Sequence, residues 1–351
     1  MTTARLILTT LLIGFGGGVL FTWLTIPLPW VLGSCAATAV AAQMKIPMKL
    51  PAPMRNAAIA IVGIMLGAGF DEEALSHLVS WIPSILFMLA LSVAFFAIPF
   101  LVQRRWSTMD WSTAFLASVP GGLSVVTALA EDYGADTRRI AMAHTARIIV
   151  LLLMAPIMLG WVADYDLGTI TQDMMGDIRW GSPADLAILA ACAAGGYLLG
   201  KRFAMPSAGL LFPLLLSAGL HATGLVEAQV PLPFSIFAQL VIGANIGLRF
   251  AGYKPREIVH DTWLAASASL ILAFLAFAAA WGYAHLTGQD VAPLLIAYYP
   301  GGAPELGVVA LTLGINPALV AAHHVTRIMV IAAIMPVVLR QRSKDKGTTN
   351  S

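Results

Sequence analysis

The chain carries one chemical constellation twice. Pro120-Gly121-Gly122 is followed by His144 and Arg147, and Pro300-Gly301-Gly302 by His324 and Arg327, each member displaced by 180 residues. Proline removes a backbone donor and interrupts the preceding helix, while paired glycines allow backbone geometry closed to other residues. Inside an apolar segment such a break leaves free carbonyls on its upstream side, suited to a cation. It leaves free N–H groups on its downstream side, suited to an anion. A Pro-Gly kink used only for packing is the simpler alternative for one copy, and repetition at symmetric positions favours a binding site.

His144 and Arg147 are three apart, hence on one helical face. A helix starting near Thr137 puts Arg147 about 15 Å along it, near the centre of a bilayer. An ionised side chain there costs at least roughly 2.5 kcal/mol, so it needs a cavity or a partner. One reading is structural, with Glu131 or Asp132 paired to Arg147 and Glu305 to Arg327. The other is functional: Arg147 and Arg327 neutralise a solute, and His144 and His324 assist or carry protons, since imidazole titrates near neutrality. Glu305 has no counterpart, the equivalent position being Val125. A lone carboxylate behind one PGG suits an H⁺ or Na⁺ coupling site, or simply neutralises Arg327.

The elements that must hold these residues are membrane helices. Of 351 residues, 59% are hydrophobic and 11% charged, with a mean hydropathy of +0.83; a soluble domain carries roughly 25% charged residues. Apolar stretches of bilayer-spanning length recur throughout. The net charge of +2 is scattered over short loops, which excludes a nucleic-acid face. Cys35 and Cys192 do not correspond between copies, and no disulfide is indicated. The sequence Leu32-Gly33-Ser34-Cys35 loosely resembles a lipoprotein cleavage site. The apolar run before it is too long for a signal h-region and recurs in the second copy, so the first segment is expected to stay as a membrane helix.

Residues 118–157 lie over 298–337 without a gap, pairing Gly134 with Gly314 and Pro156 with Pro336; upstream, Gly63, Gly67 and Phe70 fall on Gly243, Gly247 and Phe250. Further back, Pro29 meets Pro206 after a three-residue shift. Spaced rare residues in one register mark an internal duplication. Six apolar elements are expected near 5–22, 28–43, 56–70, 77–102, 109–132 and 137–161, and again near 183–200, 206–221, 233–250, 261–284, 291–312 and 317–339. The expected organisation is a first membrane repeat at 1–162, a polar non-cytoplasmic linker at 163–181, a second repeat at 182–340 and a cytoplasmic disordered tail at 341–351. Gly63 with Gly67, Gly243 with Gly247, and Gly196 with Gly200 are GxxxG spacings for close helix packing. Trp23, Trp106, Trp111 and Trp161 are expected in interfacial belts.

Loop charges set orientation. The positive loops are Lys45, Lys49 and Arg55, then Arg104 and Arg105, then Arg138 and Arg139 in copy one; in copy two they are Lys201 and Arg202, then Arg249, Lys254 and Arg256. Every loop has the opposite character in its partner copy, which predicts two inverted repeats with both chain termini cytoplasmic. Both loops flanking 109–132 are positive and both flanking 291–312 are not, so this element should be a re-entrant hairpin with PGG at its tip. The expected fold is an all-α polytopic membrane protein, each repeat holding about five transmembrane helices plus the broken or re-entrant PGG segment.

The doubled pattern, VPGGLSVVTALAEDYGADTRRIAMAHTARIIVLLLMAPI against YPGGAPELGVVALTLGINPALVAAHHVTRIMVIAAIMPV, resembles the bacterial "membrane protein AbrB duplication" family over nearly the whole chain. Members are labelled AbrB-family regulators or ammonia monooxygenases and are remotely similar to the cation:proton antiporter and anion transporter superfamily, where broken helices often cross the bilayer. The resemblance thus conflicts with the hairpin. The monooxygenase label finds no support: the seven histidines, His77, His144, His221, His260, His285, His323 and His324, look dispersed and mostly in loops, without a converging ligand set. A DNA-binding regulator would need a soluble basic module. The expected function is secondary active transport of a small anionic solute coupled to H⁺ or Na⁺ in the bacterial inner membrane, with no enzyme activity, cofactor or metal; the alternative is a membrane sensor that regulates gene expression without transport. Lipid, the solute and H⁺ or Na⁺ are the expected partners, and the chain could pair as a homodimer.

Overall fold

The computed structural model describes residues 2–121, 123–162, 182–203, 207–252 and 255–348. The expected linker at 163–181, Gly122 and Pro206 lie outside the described residues. The described chain is all helix: α1 Thr3–Trp23, α2 Pro29–Gln43, α3 Ala52–Gly67, α4 Glu72–His77, α5 Ile82–Trp106, α6 Trp111–Ser118, α7 Leu123–Asp132, α8 Thr137–Val162, α9 Pro183–Phe203, α10 Ala208–Ala222, α11 Leu232–Leu248, α12 Pro255–Thr287, α13 Val291–Tyr298, α14 Ala303–Thr312 and α15 Pro317–Thr348. Six of these are long and apolar enough to cross a membrane: α1, α5, α8, α9, α12 and α15. The protein is an all-α polytopic membrane protein.

Helices α2, α3, α10 and α11 have only 15 to 17 residues, about 22–26 Å. They lie among other helices rather than each meeting lipid on all sides, so the full hydrocarbon thickness does not dictate their length. Both α2 and α10 start after a residue in the left-handed region, Leu28 (φ 56°) and Ser207 (φ 54°). Those two positions are 179 apart. Pro156 and Pro336 sit inside α8 and α15, where neighbouring helices can satisfy the freed carbonyls.

The two copies are not the packing units. Helices α1–α3 pack with α9–α11 into one module, and α5–α8 pack with α12–α15 into a second. The glycine pairs tie the first module together across the copies. Gly63 and Gly67 of α3 press on Leu210 O and Leu214 O of α10, where a Cβ would lie 2.6 and 2.5 Å away; Gly243 and Gly247 of α11 press likewise on Val31 O and Cys35 O of α2. Backbone carbonyls cannot yield as a flexible side chain can. Gly67→Val is therefore expected to destabilise by about 3 kcal/mol, read as a lowered unfolding midpoint in detergent. Gly16→Ala, where a Cβ meets nothing within 4 Å, should be neutral.

In the second module each PGG element is two helices. Asp110 caps α6 by accepting from Ser112 N–H (3.0 Å) and Thr113 N–H (3.3 Å). After α7, Asp136 N–H donates to Thr113 Oγ1 at 2.9 Å. The start of α6 and the exit of α7 are thus adjacent, and the segment doubles back on itself. The arms have 8 and 10 residues, about 12 and 15 Å.

α15 is helical through Thr348: Arg340 to Lys346 are mostly good helix formers with mixed charge, and no proline stops them. Trp23, Trp106 and Trp161 are exposed, but Trp111 is half-buried and stacks on Phe115 with ring centroids 4.9 Å apart.

Candidate functional site

A half-helix that stops inside the molecule leaves its last carbonyls without helical partners. Here the His-x-x-Arg pairs take them. His144 Nε2–H donates to Leu116 O (3.1 Å), and Arg147 gives Nη1 to Val119 O (2.6 Å) and Nη2 to Ala117 O (2.8 Å), all at the end of α6. His324 Nε2–H donates to Ile296 O (3.0 Å), while Arg327 gives Nη1 to Tyr298 O (3.3 Å) and Tyr299 O (2.8 Å) and Nη2 to Gly301 O (3.3 Å), at the end of α13. The positive side chains also meet the negative end of each helix dipole.

These bonds replace the ion pairs expected for Arg147 and Arg327. Glu131 and Asp132 are exposed at the far end of α7, about a helix length from the tip that Arg147 holds. Glu305 is in the first turn of α14, its carboxylate folded back against Gly302.

Arg327 Nη2 also donates to His324 Nδ1 at 2.8 Å. With Nε2–H committed to Ile296 O, this ring is neutral and its remaining nitrogen accepts. Protonating it would break its bond to Arg327. Sequence reading also placed most histidines in loops; all seven lie in helices. His323 matters most among those passed over. Its Nδ1–H donates to Leu319 O (2.8 Å), its Nε2 accepts from Ser84 Oγ–H (2.9 Å), and Ser84 in turn accepts from Tyr298 O–H (2.9 Å). This buried chain pins α13 between α5 and α15.

The two tips meet: a Cβ on Gly121 would stand 3.8 Å from Gly301 O. Beside them, between the modules, is a cavity of about 590 Å³. His144, Arg147, Gly121, Pro300, Gly301, Gly302 and Glu305 line its inner end; Arg55, Asn56, Asn245 and Arg249 line the way out. Arg327 and Pro120 are buried behind the tips. Arg249 Nη1 reaches Thr145 Oγ1 on α8 at 3.4 Å. Arg55 and Arg249 entered the sequence reading only as loop charges. Asn245, polar and set between Gly243 and Gly247 in an apolar helix, was the available signal.

The mouth of the cavity lies on the face that gathers the positive loops. Gln43 Nε2 donates to Phe250 O (2.8 Å), Arg139 pairs with Asp261 (2.6 Å), and Ser107 Oγ donates to the same carboxylate (2.9 Å). On this face burial works against ionisation of Asp110, and the hydrogen bonds from Thr113 and Ser112 outweigh it, holding its carboxyl below the usual carboxylate range.

Residues 30–343 match the family model described as "Transition state regulatory protein AbrB". The chain is 28% identical over 323 residues to the protein named "Putative regulator AbrB" of Escherichia coli (strain K12), covering 90% of each. It is 26% identical over 354 residues to "Uncharacterized protein YhjN" of Bacillus subtilis (strain 168), covering 92% of this chain and 90% of that one. The doubled tip and its His-x-x-Arg caps both fall within the matched span, and this membrane protein belongs to the AbrB family.

Proposed function

We propose that this protein is a secondary active transporter of a small anionic solute, coupled to H⁺ or Na⁺, with its site between the two PGG tips. The observation that carries this reading is the charge of the cavity: Arg55, Arg147 and Arg249 face one carboxylate, Glu305. Three arginines against one carboxylate leave a surplus of two positive charges for a solute to balance. The downstream arm α14 begins at this cavity and adds its N-terminal N–H groups.

The two copies are inverted in this proposal. Support comes from α3 and α11, equivalent helices that run antiparallel: the N-terminal end of α3 (Arg55, Asn56) and the C-terminal end of α11 (Asn245, Arg249) line one cavity. The positive-inside rule makes that face cytoplasmic, with both chain termini on it, so the cavity opens inward. His324 orients Arg327 through its Nδ1, His144 shares with Arg147 the carbonyls at the end of α6, and Glu305 is the coupling group. A regulator, as one relative is named, fits this scheme indirectly, through movement of a signalling metabolite.

The test is uptake into proteoliposomes across a panel of small carboxylates and oxyanions, with imposed proton or sodium gradients. Uptake of at least one anion should rise with one gradient and saturate. Gradient-independent retention of a bound anion, without accumulation, would mean a sensor instead.

A further inference from the structure

The inward cavity has a counterpart that is shut. Carrying its lining to the other copy by the 180-residue offset turns Arg55, Ile59, Asn245 and Arg249 into Ser235, Gln239, Met65 and Gly69, and His144 and Arg147 into His324 and Arg327. On the open side Arg55 is exposed, and Asn56 and Ile59 are half-buried. On the other side Ser235 is 5%, Gln239 2% and Arg327 0% exposed.

The outer part of this second route exists as a separate cavity of about 490 Å³, lined by Met65 and Gly69 together with Asp71, Gln229, Asn316 and Pro317. It stops before Gln239 and Arg327. What stops it is the contact between modules. α14 and α15 pack on α3: Pro317 lies against Gly69, and Leu66 lies so close to Gly307 that a Cβ there would be 2.7 Å from Leu66 Cδ1. On the open side, His144, Arg147 and Ile148 of α8 and Ile242, Asn245 and Arg249 at α11 line the cavity together, and Arg249 Nη1 reaches Thr145 Oγ1 across it at 3.4 Å.

Behind the closure, polar groups are left unmet. Gln239 Nε2 donates to Ser235 Oγ (3.2 Å), but Gln239 Oε1 and Arg327 Nε have no hydrogen-bond partner among the described residues. Buried donors and acceptors are normally satisfied, and Ile59 shows that an apolar side chain fits the corresponding place in copy one. Packing therefore does not ask for an amide at 239. A ligand would.

We infer that Ser235, Gln239 and Arg327 line a second access route, on the face opposite Arg55, that opens when the inward cavity closes. The route takes the same small anion, its charge against Arg327 Nε–H and its polar remainder against the Gln239 amide. Opening parts Pro317 from Gly69 and Leu66 from Gly307, while α7 and α8 close on α11. This rests on the transporter reading above, and the two fail separately in the following test.

In a Cys35→Ala, Cys192→Ala background, Asn56→Cys and Ser235→Cys are reconstituted singly and exposed to a membrane-impermeant maleimide on either side, with anion uptake measured on the same vesicles. Asn56→Cys should label from one side and Ser235→Cys from the other. Ser235→Cys inert from both sides, or labelled from the same side as Asn56→Cys, overturns the second route even where uptake persists. Opposite-sided labelling without uptake upholds the two routes and removes transport. Gln239→Ile, which puts the copy-one residue in place, should keep the unfolding midpoint and cut uptake by about tenfold or more; unchanged uptake would remove Gln239 from the route.

Discussion

Arg327→Ala is expected to abolish anion uptake and to lower the unfolding midpoint of the purified protein as well. The guanidinium spends all four of its Nη hydrogens on Tyr298 O, Tyr299 O, Gly301 O and His324 Nδ1 while fully buried. Removing it strands three carbonyls and an imidazole nitrogen in a fully buried site. Breaking such a buried charged network costs about 3–5 kcal/mol. Arg327→Lys should recover part of the stability but not uptake, because an ammonium has three donors and cannot reproduce the planar fork. Arg147→Ala should cost less stability, since Arg147 faces the cavity, and should still abolish uptake. If uptake per folded molecule survives both alanine variants, the arginines only cap the broken helices, and their role toward the solute is lost.

How much of this was legible depended on whether sequence separation mattered. The duplication, the broken segments and the His-x-x-Arg faces follow from local spacing, and loop charges were enough to read 109–132 as doubling back on itself, which the Asp136 to Thr113 bond matches. The arginines' carbonyl partners were not read, because charge complementarity offered only carboxylates as the structural alternative. The stronger demand came from the carbonyls at the ends of α6 and α13, which only the three-dimensional break exposes. The exchange of helices between copies was equally hidden. Gly63 and Gly67 announce a close contact, but nothing in their spacing says that the partner is α10 of the other copy rather than a neighbour in their own. Arg55 and Arg249 looked like ordinary loop charges until α3 and α11 ran antiparallel and brought them to one cavity. His323, adjacent to a residue of the motif, was passed over because its partners Ser84 and Tyr298 come from two other helices.

Glu305→Gln is expected to separate solute movement from its driving ion. The carboxylate of Glu305 bends back onto Gly302 at the start of α14, the place a bound anion would take against free N–H groups. In the ionised form it competes with the solute for Arg55 on α3, Arg147 on α8 and Arg249 on α11. The remaining charged or titratable neighbours, His144 on α8 and His324 and Arg327 on α15, are committed to carbonyls. Protonation removes one negative charge, so the cavity goes from three positive against one negative to three positive alone, and anion binding tightens as pH falls. Wild-type uptake should therefore rise with an inward proton gradient. The glutamine variant should bind the anion with an affinity independent of pH and equilibrate it without accumulation. Should sodium be the coupling ion, the same substitution removes the sodium dependence and leaves the pH response flat in both proteins. A variant that still accumulates the anion on the original gradient would assign Glu305 to charge balance with Arg249 alone, and the coupling group would have to lie elsewhere.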